Sequence, residues 1–179
     1  MPSTLPIRRL VVAVVLSSTV LVSTTACGGE TKSAQNVSPT STAERQKLAK
    51  TRFVANAGLA AGAAYEWIVK PFKAGKFKKG ADGRTAALVK AGLAGAFTYN
   101  RLKAATENAK GDPLLSKALA PLGSGIDSLK NLGSKLRKGD ANDADVNQFQ
   151  NVIGGVKDAG KSAGAPVVDQ VPSASQLGG

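Results

Sequence analysis

Between Thr42 and Ala163 the apolar positions recur at helical spacing, and no run alternates every second residue as a half-buried strand would. Four helical segments follow from this pattern. The first runs from about Thr42 to Val69, with Thr42 suited to cap it and Glu44 placing negative charge at the positive end of its dipole. From Phe53 to Val69 only Asn56 and Glu66 are strongly polar. A helix apolar on all sides belongs at the centre of a bundle. Pro71 lacks an N–H donor and is expected to end it.

The second segment runs from about Arg84 to Ala109. Ala57-Gly58-Leu59-Ala60 reappears in it as Ala91-Gly92-Leu93-Ala94, and without any gap Tyr65 then matches Tyr99 and Ile68 matches Leu102. This weak internal repeat suggests two equivalent helices packed as a hairpin. Gly58/Gly62 and Gly92/Ala96 place small residues on one stripe of each helix. Close backbone approach is the gain from such a stripe, against about 1 kcal/mol of helix propensity per glycine. The alternative is that an alanine-rich composition produces the spacing without a contact behind it.

Asp112-Pro113 reads as a cap followed by proline at the first helical position of the third segment. Leu115, Leu119, Leu122, Ile126, Leu129 and Leu136 then hold one face, with Pro121 expected to kink or split the helix. The fourth opens at Asn142 or Asp143 and carries Val146, Phe149, Ile153, Val156, Gly160 and Ala163 at steps of three and four. The expected fold is all-α, a small bundle of about four helices over residues 43–163. Residues 27–42 hold almost no apolar side chains and are expected to form a flexible tether. Residues 164–179 are expected to form a disordered tail, in which only Val167, Val168 and Val171 offer a short docked segment.

Ahead of the tether stand Arg8 and Arg9, an apolar run from Leu10 to Val22, and the small residues Ser23, Thr24, Thr25 and Ala26. This is the tripartite pattern of an export signal, too short and too rich in Ser and Thr to span a bilayer. Cys27, the only cysteine, follows directly. A cysteine at the cleavage point resembles the lipobox of bacterial lipoproteins, with Thr24 standing where Leu is usual. The resemblance implies that residues 1–26 are removed as a signal peptide and that the Cys27 thiol is diacylated with palmitate-like chains. The protein would then be lipid-anchored on the extracytoplasmic face of the cell membrane. An ordinary secretory signal cleaved after Ala26 is the alternative.

Removing 26 of the 179 residues leaves 153, enough for one modest core. The removed piece holds two arginines and no acid, so the net charge falls from +12 to +10. One cysteine leaves no intramolecular disulfide, and stability must come from packing. The chain has no histidine. Histidine-based general-base, triad and metal-ligand chemistry are therefore excluded. Only carboxylate, lysine or tyrosine chemistry would remain, and the chain reads as a non-enzyme with no cofactor and no metal site.

The best functional candidate is the connector between the first two helices. Lys70, Lys73, Lys76, Lys78, Lys79 and Arg84 face a single acid there, Asp82, and Phe72 and Phe77 interrupt the charge. Near an anionic lipid surface each cation contributes about 1 kcal/mol, and Phe inserts at the headgroup boundary. The connector is therefore expected to contact anionic lipid, an anionic cell-wall polymer or a partner protein. A solvated loop whose two Phe cover the bundle end is the alternative. Nucleic acid is not expected, because an export signal precedes the domain and no recognition motif is present. Asp140, Asn142, Asp143, Asp145 and Asn147 hint at calcium, but an EF-hand frame from Asp143 puts Gln148 at the required Gly and Gly154 at the required Glu. Helix capping explains the cluster.

The stretch from Phe53 to Leu102 resembles small Ala-rich exported proteins of high-GC Gram-positive bacteria. The likeness rests on Ala57-Gly58-Leu59-Ala60, Lys70-Pro71-Phe72-Lys73-Ala74-Gly75-Lys76-Phe77 and Val89-Lys90-Ala91-Gly92-Leu93-Ala94. It supplies no catalytic residues. The leading expectation is an anchored envelope protein with a binding or structural role. The runner-up is an apolar small-molecule or lipid binder, with a cavity lined by Leu59, Ala63, Leu93 and Phe97.

Overall fold

Ser41, rather than Thr42, starts the first helix. In the computed structural model, which describes residues 41–178, Ser41 Oγ accepts from the Glu44 N–H at 3.2 Å, and the Glu44 carboxylate accepts from the Ser41 N–H at 3.0 Å. This reciprocal box satisfies two orphan donors at once. The expected export signal, Cys27 and the expected tether up to residue 40 lie outside the described residues.

Helix α1 (Thr42–Ala64) does not stop at Pro71 as expected. It widens into a π-helical turn over Tyr65–Val69 and continues as α2 (Lys70–Lys73). The Lys70 N–H reaches back five residues to the Tyr65 carbonyl. A proline ring clashes with the carbonyl four residues before it, here that of Trp67, and the wide turn spans that residue. The whole column is about 48 Å long at 1.5 Å per residue. It ends at Ala74, and Gly75 at φ +70° turns the chain.

Helix α3 (Arg84–Ala109) runs back antiparallel to α1. Thr98 Oγ1 donates to the Ala60 carbonyl at 3.4 Å, and Arg101 donates to Asn56 Oδ1 at 3.2 Å. Ala57, Ala60, Ala64 and Ile68 meet a face carrying Ala91, Ala94, Leu102 and Ala105, all buried. The repeat is real in this sense: Ala57/Ala91, Ala60/Ala94 and Ile68/Leu102 have matching burial.

The small-residue stripes serve other partners than the hairpin. A Cβ on Gly92 would come within 2.8 Å of Arg137 Cβ, and one on Gly95 within 2.7 Å of Gly133 Cα. Both belong to the third segment, which packs across α3. A Cβ on Gly58 would lie 2.5 Å from the Val168 carbonyl, and one on Gly62 would run into the carbonyl of Gln170. Alanine is small enough for the α1–α3 seam, whereas backbone against helix requires glycine.

The third segment is three short helices instead of one kinked one: α4 (Pro113–Leu119), α5 (Gly123–Ser128) and α6 (Leu132–Lys138). Turns of 3-10 helix at Ala120–Leu122 and Leu129–Asn131 separate them. Pro121 lies in the first break. Gly123, Gly125 and Gly133 weaken the remainder. The leucine face survives, with Leu115, Leu119, Ile126, Leu129 and Leu136 buried and Leu122 half-buried. Asp112, 2% exposed, caps α4 by accepting from the Leu115 N–H at 2.9 Å and faces Lys50 at 3.6 Å. Helix α7 (Asp143–Ser162) closes the core with Val146, Phe149, Val152 and Val156. No described helix is long and apolar enough to cross a membrane.

The expectation of a frayed tail is corrected. Gly164, at φ +69°, reverses the chain after α7, and residues 165–172 lie as a strap over α1. The Gln170 N–H donates to the Gly58 carbonyl at 2.9 Å, and Trp67 Nε1 donates to the Pro172 carbonyl at 3.2 Å. Ala165, Val167 and Pro172 are buried, while Val168 and Val171 face solvent. A last turn, α8 (Ala174–Leu177), brings Leu177 onto the core. Besides Ala165 and Val167, the strap docks by its backbone and by Pro172, which apolar patterning does not register.

Gly62→Ala should therefore destabilise the fold by about 1–3 kcal/mol, because the new methyl displaces the strap. Gly154→Ala, in α7 with open space around it, should instead stabilise by about 0.5–1 kcal/mol. Chemical denaturation of both variants measures the two signs side by side.

Candidate functional site: the basic end of the bundle

The connector between α2 and α3 closes the end of the bundle opposite the start of α1. Phe72 and Phe77 meet edge to face, with centroids 5.9 Å apart at 66°, and both are half-buried against the core. Their rings are spent on each other and on the bundle end rather than turned outward for insertion at a headgroup boundary. Arg84 is also structural, since its Nε donates to the Phe77 carbonyl at 3.0 Å and its guanidinium lies against Gly139. Gly139, at φ +79°, ends α6, so Arg84 pins the connector to the neighbouring helix.

The lysines divide by partner. Lys70 donates to Glu66 at 2.9 Å, and that hydrogen bond together with the glutamate's charge raises its pKa. The contact is exposed and lends little stability. Lys73, Lys76, Lys78 and Lys79 are exposed and make no ion pair among the described residues. Of the eight connector residues singled out from the sequence, four are therefore available to an outside partner, Phe72, Phe77 and Arg84 build the platform, and Lys70 is paired with Glu66.

Two grooves flank this platform. One, of about 510 Å³, runs between Phe72, Lys73, Phe77 and Lys78 on one side and Ala141, Asn142 and Asp143 on the other. The second, of about 440 Å³, lies between the π-helical turn and the first turn of α3. Its floor is Trp67, Pro71, Ala86 and Ala87, and its rim carries Lys70, Lys76 and Lys90. Lys90 Nζ stands 5.4 Å from the centre of the Trp67 ring. Sequence patterning does not bring Trp67 and Lys90 into this site. A spacing of twenty-three residues becomes a contact only through the antiparallel hairpin register, the same register that sets Thr98 against Ala60 and Arg101 against Asn56.

Leu59 and Ala63 do not line the groove that Leu93 and Phe97 border. Leu93 and Phe97 border an open groove beside Leu177, whereas Leu59 and Ala63 border neither it nor the two grooves of the basic end. The helix seam where a cavity was expected is filled by alanines.

The acidic cluster after α6 is used for capping. Asn142 Oδ1 accepts from the Asp145 N–H at 3.1 Å, and the Asp145 carboxylate accepts from the Asn142 N–H at 3.0 Å and from Lys135 at 3.0 Å. Among the described residues no group of three His, Cys, Asp or Glu is placed to hold a metal. Every buried side-chain nitrogen and oxygen there has a hydrogen-bond partner, which leaves no orphaned polar atom to mark a catalytic pocket.

No protein-family model, curated protein or solved structure matches the chain. The physical reading of the basic end therefore stands on its own geometry.

The backbone N–H of Asn142 is the main cause that lowers the Asp145 pKa, and Lys135 adds to it against the cost of desolvation. A lowered folded-state pKa gives stability that is present above the unfolded value and lost as pH falls through the folded one. Wild type should therefore lose stability more steeply than Asp145→Asn below about pH 4. The variant should already be the less stable protein at neutral pH. Urea midpoints between neutral pH and the acid limb measure both.

Proposed function

We propose that this protein is a lipid-anchored component of the cell envelope, held by acylated Cys27, which binds an anionic wall polymer through its basic connector. The observation that carries the reading is the set of four exposed ammonium groups, Lys73, Lys76, Lys78 and Lys79, which make no ion pair among the described residues. Two further features support it. The Phe72–Phe77 pair and Arg84 hold the connector in shape, so less ordering entropy opposes binding. The absence of histidine and of a metal-ligand cluster in the described residues favours binding over catalysis.

The anchor is tested on the native chain. Intact mass should show an N-terminus at Cys27 with a diacylated thiol, and Cys27→Ser should leave the protein unmodified and released from membranes. A native chain starting elsewhere with a free thiol overturns the anchoring.

The contact is tested on full-length Cys27→Ser protein with an immobilised acidic polysaccharide. Each lysine contributes on the order of 0.5–1 kcal/mol at a charged surface. Converting Lys73, Lys76, Lys78 and Lys79 together to Gln should weaken binding about thirtyfold or more. Four Gln substitutions at Lys117, Lys130, Lys138 and Lys161 should have a much smaller effect. Equal losses from the two sets would reduce the contact to net charge alone and remove the connector from the reading.

A further inference from the structure

The groove floored by Trp67 differs from the rest of the basic end. The exposed lysines offer charge without shape, whereas this groove combines an apolar floor with donors and acceptors on its rim. Trp67, Pro71, Ala86 and Ala87 supply the floor. Lys76 and Lys90 carry no ion pair among the described residues, and Lys90 is held over the indole by the cation–π contact. Glu66 is engaged by Lys70, but Asp82 leaves a carboxylate on the rim without a salt bridge there. A plain polyanion such as polyphosphate gains from the lysines and is repelled by Asp82. A sugar ring carrying a carboxylate fits the combination better: its apolar face lies on the floor, its hydroxyls donate to Asp82, and its acid pairs with Lys76 and Lys90. The groove is open and continuous with the connector, so a chain of such rings can pass through it. Its volume of about 440 Å³ is in the range of small-molecule sites.

We infer that this groove is a saccharide subsite that binds one or two rings of an acidic glycan, with Trp67 as platform and Lys76 and Lys90 as the acid-binding pair. The inference rests on the connector reading, in that it names the repeating unit which the lysines would gather. It differs in requiring shape as well as charge.

Trp67 is the only tryptophan, so intrinsic fluorescence of the whole protein reports on this groove directly. Full-length Cys27→Ser protein is titrated with a galacturonic acid hexasaccharide, the neutral galactose hexasaccharide, polyphosphate and anionic phospholipid vesicles. The acidic hexasaccharide is expected to shift Trp67 emission saturably, and the other three to leave it unchanged or shift it only far more weakly. Lys90→Gln should weaken the hexasaccharide about fivefold. Ala87→Leu, which fills the floor and keeps every charge, should weaken it at least as much, with the denaturation midpoint of each variant confirming that it folds. A Lys73/Lys78/Lys79→Gln variant separates the two readings. If it loses hexasaccharide binding while Lys90→Gln and Ala87→Leu keep it, the connector reading stands and the groove is overturned. If Ala87→Leu weakens the hexasaccharide while the triple variant binds normally, the groove stands and the connector reading fails. Equal shifts from polyphosphate or vesicles overturn the saccharide assignment.

Discussion

Backbone packed directly on backbone is the constraint from which the rest of this structure follows. The chain has no disulfide to staple it and few large side chains to fill a wide core, with 4% aromatic residues. Its helices must come close. Alanine makes the α1–α3 seam thin enough, while glycine opens two further approaches. Gly92 and Gly95 admit α6, and Gly58 and Gly62 admit the strap. Each approach sacrifices helix propensity for a larger gain in contact, which explains why four glycines persist in the interiors of long helices.

This constraint explains where sequence reasoning succeeded and where it fell short. Helical period, caps and the absence of alternation were enough for an all-α bundle, for the bounds of α3 at Arg84 and Ala109, and for the buried faces of the third and fourth segments. The repeat correctly paired Ala57 with Ala91 and Ile68 with Leu102. The partners of the glycines were not legible, because a small residue shows only that something approaches, not what. The strap was only partly legible, through Val167 alone of the three valines that offered a docked segment, for a related reason. Its docking uses the Gln170 N–H, the Pro172 carbonyl and a buried proline ring, none of which contributes to a hydrophobic period. Pro71 misled because the rule against proline inside a helix assumes a regular turn ahead of it, and the turn here is π-helical.

The basic end shows the same division. The composition of the connector pointed to the right loop, but not to the separate duties of its residues. Arg84, Phe72 and Phe77 hold the loop together, Lys70 is paired with Glu66, and the four remaining lysines present charge. A charge count treats these groups alike. Only placement against Gly139, Glu66 and the core separates them, and only the hairpin register sets Lys90 over Trp67.

The contact between Gly58 and Gln170 links residues far apart along the chain, and protein synthesis proceeds from the N-terminus. Until Gln170 has emerged, α1 carries an open channel of bare backbone at Gly58 and Gly62, on a helix whose second half is largely buried. The hairpin of α1 and α3 can assemble from local contacts well before then. The channel must remain shielded or wet throughout that interval. A nascent chain halted before the strap would present a helix pair with a sticky, half-made flank.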